Sequence, residues 1–429
     1  MRYALINPCW SFEGSVYIGC REPHLPLEYG YAKSLLEREG HEVSIVDGQL
    51  ENLSRGEIVA RVAAFQPDFT VVTTAPSYLF WRCAPAELRI PQQTVRDLHG
   101  IGGTLVAIGP HGSTTPGHTL RKLAVDVVVR GEAEEVLPQF AGKARAEWGD
   151  IPALGFLQEG EPRIQGEPHA SDMAALPALE WSHCMILRHH HHHNRFDVPP
   201  WGPGAEIEAS RGSPYYSSFC AKENFRHRYR RRPLPIILAE LDGLIAQGVE
   251  YVYFIDEIFL PNADLLEGLA ARRVIFGIQT RIDLWSFALL DLLGRAGCVS
   301  MEAGVESISC EGRPYLDRQC KLSTEDLAER LIYAKKCIPF VQANLLDAKV
   351  DDPREIEAWR RHLQRGGVWA NAPVPLFAYP GSPDYTKQLG FPMTRAWERA
   401  HAHYPAQYAK FSDIQETQPL PVNRLESVC

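Results

Sequence analysis

The stretch of this chain richest in reactive side chains is Glu208-Ala-Ser-Arg-Gly-Ser-Pro-Tyr-Tyr-Ser-Ser-Phe-Cys220, which continues as Ala-Lys-Glu-Asn-Phe-Arg226. It sets Ser213, Ser217 and Cys220 in the spacing Ser-x3-Ser-x2-Cys. A thiolate is a soft donor suited to iron and zinc, whereas a serine hydroxyl is hard and must lose a far less acidic proton to bind a metal. By spacing alone this is a polar loop with one thiol. Further on, three short runs end in charge: Phe254-Ile-Asp256-Glu257-Ile-Phe259, Thr280-Arg281-Ile-Asp283 and Glu302-Ala-Gly304-Val-Glu306-Ser307. An acidic strand end is by itself often only the cap of the next helix. Nearer the N-terminus, Ile108-Gly109-Pro-His111 and Val129-Arg-Gly131-Glu132 place glycine just past apolar runs. Such a glycine lets backbone approach a large planar ligand. His111 is either a ligand contact or a loop histidine bonded to backbone.

These residues need a scaffold, and the pattern around them is α/β. Apolar runs at Tyr3 to Ile6, Val43 to Val46, Phe69 to Thr74, Thr104 to Ile108 and Val125 to Val129 alternate with helical segments. Among the latter, Leu27, Tyr31 and Leu35 fall on one face, ended by Gly40. Five strands with crossover helices predict a flavodoxin-like, Rossmann-type domain over 1–145, with ligands beyond the strand carboxyl ends. Residues 146–203 lose the rhythm and read as a linker carrying the run His189 to His193. A second βα series follows over 204–392, with strands near Ile207, Val252 to Ile255, Val274 to Gln279, Ser300 to Val305, Phe340 to Leu346 and Val374 to Tyr379. Six βα units predict a partial (β/α)6 barrel. Residues 393–429 form a tail, packed in part through Trp397, Tyr404 and Tyr408.

With this order in place, the loop resembles the radical S-adenosylmethionine (SAM) signature SRG-C-P-x-x-C-x-F-C, through Arg211, Gly212, Pro214, Phe219, Cys220 and Lys222. In that family three cysteines hold a 4Fe-4S cluster, whose fourth iron is chelated by SAM. Here Ser213 and Ser217 stand at two of those positions, and Cys220 at the third. The resemblance implies SAM contacts from Asp256, Arg281, Gly304 and Glu306. The segment Asn344 to Lys349 lacks the glycine-rich form often seen in the family's fifth strand, and Pro375 to Pro383 resembles its sixth strand and turn. The first domain resembles the cobalamin-binding module of one branch of the family. That resemblance implies cobalamin contacts from Ser77, Tyr78, Gly109, His111, Gly131 and Glu132. No DxHxxG follows the first strand, so the cobalamin would be base-off without that histidine ligand.

The implied activity is methyl transfer to, or rearrangement of, an unactivated carbon in a small-molecule substrate. A flavodoxin or ferredoxin would supply electrons, and two missing thiols would impair the cluster. The other reading is a cluster-free cobalamin- and SAM-binding or regulatory protein.

Bulk properties narrow the rest. A net charge of -9 gives no electrostatic pull toward nucleic acid or anionic lipid. The run Arg226 to Arg232 is a local basic patch, either a phosphate contact or a solvated loop. Five successive histidines cannot all face one metal, so they read as an interface feature or a solvated linker. No apolar run reaches bilayer length. The start, MRYALINPCW, reads as a strand rather than a signal peptide. The scattered cysteines, Cys184, Cys310 and Cys337 among them, show no disulfide framework, and a cytoplasmic home is expected.

Overall fold

The computed structural model describes residues 1–17, 22–76, 84–188, 202–222, 228–316, 319–407 and 417–427. Ser77, Tyr78, His189 to His193, Arg226 and Tyr408 lie outside them.

The first sheet begins as expected with β1 (Arg2–Asn7), β2 (Glu42–Asp47), β3 (Phe69–Thr73), β4 (Thr104–Ile108) and β5 (Val127–Val129), all parallel. It then continues into β6 (Leu154–Gln158) and β7 (Glu161–Ile164), both antiparallel, in the order β2-β1-β3-β4-β5-β6-β7. The strand order turns back on itself between β1 and β3, where doubly wound sheets open a ligand crevice. Strands β6 and β7 come from the segment that reads as linker in the sequence. Glu159 and Gly160, both at positive φ, close them into a two-residue hairpin.

The second sheet is built from β8 (Gly204–Ile207), β11 (Tyr251–Phe254), β12 (Ile275–Arg281), β13 (Cys298–Glu306), β14 (Phe340–Leu345) and β15 (Trp369–Ala370). All are parallel in sequential order, and the two end strands do not pair, which makes an open half-barrel. A small ribbon, β9 (Ser210–Arg211) with β10 (Arg230–Arg231), brackets the reactive loop. The sixth barrel strand is Trp369–Ala370 rather than Val374 to Tyr379. Pro373 and Pro375 carry no N–H for a ladder, so only an isolated bridge from Val374 to Leu346 forms there.

The two halves share one core. Leu27, Tyr31 and Leu35 of helix Leu27–Arg38 pack with Trp181 and the barrel strands. A Cβ on Gly30 would come within 2.7 Å of Trp181, so the absent side chain lets the helix approach that closely. The joint is also ionic. Fully buried Arg211 meets Glu208 at 2.9 Å, Glu132 at 2.9 Å and Glu134 at 2.6 Å. Burial opposes its charge, but the three carboxylates overcome this and hold the guanidinium above its usual range. Arg232 pairs with buried Glu240 at 2.7 Å, and the ring of Tyr31 lies beside both guanidiniums, 5.2 Å from Arg211 and 5.3 Å from Arg232. Arg230 turns inward to Glu132 as well, so within the described part of the basic run these two arginines are structural.

Candidate functional site

Strand ends from both halves converge on one cavity of about 350 Å³, within the usual range for a small-molecule site. Ala84, Pro110 and Thr114 contribute from the first domain. The loop supplies Gly212, Ser213, Tyr215, Ser217, Phe219, Cys220 and Lys222; the barrel supplies Glu257, Gln279, Arg281, Gly304 and Glu306; Phe377, Tyr379 and Trp397 close the far side.

Of the residues implicated as SAM contacts, Arg281, Gly304 and Glu306 line this cavity. Arg281 is oriented by Asp283 at 2.6 and 3.0 Å and by the carbonyl of Gln319, and its guanidinium lies 4.2 Å from the Tyr215 ring. The Glu306 carboxylate lies over Gly304, where a Cβ would come within 2.4 Å of its Oε1 and push that carboxylate aside. Glu306 adopts φ +63° at a break in the β13–β14 register, which turns its carboxylate out of the strand alternation. Asp256 is placed differently. It is buried outside the cavity lining, accepts from the Ala209 N–H at 2.8 Å and from the Ser210 hydroxyl, and so fixes the start of the loop. Burial raises its carboxyl to about 8, against the pull of those two hydrogen bonds. Of this acidic pair it is Glu257 that lines the cavity, where it accepts from Gly212 N–H at 2.8 Å.

The three loop positions do come together at the cavity, but as two hydroxyls and one thiol. The Ser213 hydroxyl accepts from Tyr215 N–H at 3.2 Å, and Cys220 N–H donates to the Ser217 carbonyl at 3.3 Å. Lys222 donates to the carbonyls of Ser213 (2.9 Å) and Tyr215, with its ammonium 4.4 Å from the Tyr216 ring. Ser218 is tied to Asp384 through both backbone and side chain. This donor set does not fit an iron–sulfur cluster, which is held by thiolates. Among the described residues no group of three or more His, Cys, Asp or Glu could hold a metal ion.

On the first domain, Gly109 takes φ +110° just past β4 and starts the short helix Pro110–Thr114. His111 is fully buried, 4.1 Å from the Trp397 ring. Burial, helped by nearby Lys122, lowers it to about 3 and keeps the imidazole neutral. The hydroxyl of Thr74, at the end of β3, and both His111 ring nitrogens have no hydrogen-bond partner among the described residues. The Pro85 backbone acts on the imidazole in the opposite sense to burial, raising its basicity. Unsatisfied polar atoms at adjacent strand ends fit a ligand with a polar periphery, as cobalamin has. Gly131 and Glu132 do not line the cavity. A Cβ on Gly131 would collide with the His169 backbone at 2.2 Å, and Glu132 is the carboxylate shared by Arg211 and Arg230.

Sequence reading had Glu257 only as part of an acidic strand end and Lys222 only as part of the signature loop, and it missed Tyr215, Phe377 and the role of Trp397.

Residues 19–141 match the B12-binding domain family. The chain is 25% identical to an uncharacterized methyltransferase of Pyrococcus horikoshii over 66% of this chain and 61% of that protein. It is 23% identical to an anaerobic magnesium-protoporphyrin IX monomethyl ester cyclase of Rubrivivax gelatinosus over 72% of this chain and 56% of that one. The chain thus spans a little over half the length of these relatives. Among solved structures it resembles the radical SAM methyltransferase TsrM from Kitasatospora setae, solved with cobalamin and a [4Fe-4S] cluster, with TM-score 0.68 and 17% identity, covering 89% of this chain and 73% of that one. No described helix is long and apolar enough to cross a membrane. The chain therefore carries a B12-binding domain and has the fold of the cobalamin-binding radical SAM protein family.

Proposed function

We propose that this chain binds cobalamin over the carboxyl ends of its first sheet and an S-adenosyl ligand in the cavity beside it, without a thiolate-held cluster. The observation that carries this is the single cavity lined from both halves of the molecule. Thr74, Gly109 and His111 would face cobalamin. Glu257 and Glu306 would face the ligand's ammonium, Arg281 its carboxylate, and Tyr215 and Phe219 its flat base. Bound cobalamin supplies a cobalt centre able to carry a methyl group. The chain's own work is then to orient a small molecule between two ligands and to shield it from water. Asp256 acts by holding the loop.

The test is anaerobic reconstitution with iron and sulfide, read by iron content, visible absorbance and retention of SAM and cobalamin on gel filtration. Retention of both ligands with little iron supports the reading, whereas roughly four irons per chain would sink its cluster-free part. Replacing Ser213 and Ser217 together by Cys is expected to raise the iron content and bring in cluster absorbance.

A second reading, an active enzyme performing methyl transfer or rearrangement on an unactivated carbon, is favoured by the names of the similar proteins and by the intact charged lining. A flavodoxin or ferredoxin donor belongs to that reading.

A further inference from the structure

The seam between the first sheet and the C-terminal segment is buried, yet it leaves several polar groups without partners. Beside Thr74 and His111, the indole N–H of Trp397 and the hydroxyl of Tyr385 have no hydrogen-bond partner among the described residues. All four residues are at most 3% exposed. Leaving a buried donor or acceptor unpaired costs about 1–3 kcal/mol, and native proteins rarely gather several in one place without a ligand or water.

The four sit close together in the fold. Thr74 and His111 follow β3 and β4. Trp397 opens the helix Ala396–Gln407, Tyr385 lies on Pro383–Leu389, and both belong to one buried cluster with Ala75 and Ala84. The Trp397 ring rests 4.1 Å from that of His111, and Trp397 also lines the cavity. This segment is firmly attached to the first domain. Lys122 meets Glu398 and Glu426, each at 2.7 Å, and Leu420 N–H donates to the Gly14 carbonyl at 2.7 Å. A seam meant only for packing would favour side chains without polar atoms. Aromatic rings mixed with unpaired donors and acceptors suit a ligand that is flat and apolar at its centre and fringed with amides, which describes a corrin.

We propose that the C-terminal segment forms a wall of the cobalamin site, with Trp397 as its principal contact and Tyr385 as a second. This rests on the cobalamin reading above and carries the site well past residue 141, where the B12-binding match ends.

The test titrates the full chain with hydroxocobalamin, following tryptophan fluorescence and cobalamin retained on gel filtration, with folding checked by far-UV circular dichroism. Trp397→Ala is expected to bind at least about tenfold more weakly. Trp397→Phe keeps the ring against His111 and removes the N–H. It is expected to fold, to bind about three- to fivefold more weakly and to lose part of the fluorescence quench. His403→Ala, on the exposed side of the same helix, should bind as the parent does. If Trp397→Phe and any folded Trp397→Ala both bind as the parent, the wall is refuted while the cobalamin reading stands. If the parent itself fails to bind, the cobalamin reading falls and takes this inference with it.

Discussion

Replacing Arg211 by Met should loosen the joint between the two halves of the molecule. The change keeps most of the side-chain volume and removes the charge facing Glu132, Glu134 and Glu208, each of which is almost fully buried. Removing one partner of a buried ionic group typically costs about 3–5 kcal/mol, because the remaining charge stays desolvated. Glu132 keeps Arg230 at 3.0 Å, so the loss belongs near the lower end, about 3 kcal/mol. For a unit the size of the half-barrel this corresponds to a fall of about 6–12 °C in its melting temperature. Unfolding of the full chain, followed by tryptophan fluorescence and by circular dichroism together, should show the two signals separating as the halves uncouple. Adding Glu134→Gln to Arg211→Met should recover part of the loss, because one stranded carboxylate becomes neutral. A variant melting within a degree of the parent would refute the assignment of Arg211 as the joint. A double variant less stable than the single one would refute the electrostatic cause.

Other consequences follow from the loop and its supports. Asp256 has its carboxyl raised to about 8 in the fold, so its stabilising contribution is complete below the ordinary carboxylate range and declines as pH rises through about 8. Asp256→Asn should therefore flatten the stability profile between about pH 4 and 8 by up to about 1.4 kcal/mol per pH unit. Asp47, raised to about 7 mainly by burial, leaves a comparable slope of the same sign in the variant, ending about one pH unit lower. An unchanged profile in urea melts across that range would contradict the placement of Asp256. Lys222→Met should free the carbonyls of Ser213 and Tyr215, costing about 1–3 kcal/mol and speeding proteolysis within 212–222 in iron-free protein. Equal cleavage rates would show that Lys222 does not brace the loop.

The parallel strands were legible because each is a short apolar run between turn signals, and β1 to β5, β8 and β11 to β14 lie where those runs fall. The β6–β7 hairpin escaped notice because its turn is Glu159-Gly160 rather than Asn-Gly or Asp-Gly, and its outer strand is largely exposed. The apolar run Val374 to Tyr379 looked like a strand, but the missing N–H groups of Pro373 and Pro375 outweigh its hydrophobicity. At Asp256-Glu257 the sequence showed that acid lies at the strand end but not which residue faces in. The regular strand stops at Phe254, and beyond it the two-residue alternation no longer dictates side-chain direction. Trp397 against His111 was beyond reach, since nothing local ties positions that far apart in the chain.

The loop's surroundings bear on what replacing two thiols changes. Where a cluster holds such a loop, the metal is a crosslink, and losing its ligands should leave the loop without structure. Here the loop is fixed at its start by Asp256 and Glu257, in its middle by Lys222, and beyond by Asp384 on Ser218. These supports use backbone groups and side chains outside the three ligand positions, apart from the Ser213 carbonyl, so they do not depend on which atom Ser213 or Ser217 carries. The cavity lining of Arg281, Gly304 and Glu306 is likewise held mainly from outside the loop, by Asp283, the Gln319 carbonyl and the break in β13, with only the Tyr215 ring of the loop beside Arg281. On the reading proposed above, a serine hydroxyl at these two positions is expected to lower metal affinity while leaving these supports of the cavity in place. Restoring the two thiols is therefore expected to raise the iron content and to leave retention of cobalamin and SAM as in the parent, and a change in retention would refute the separation.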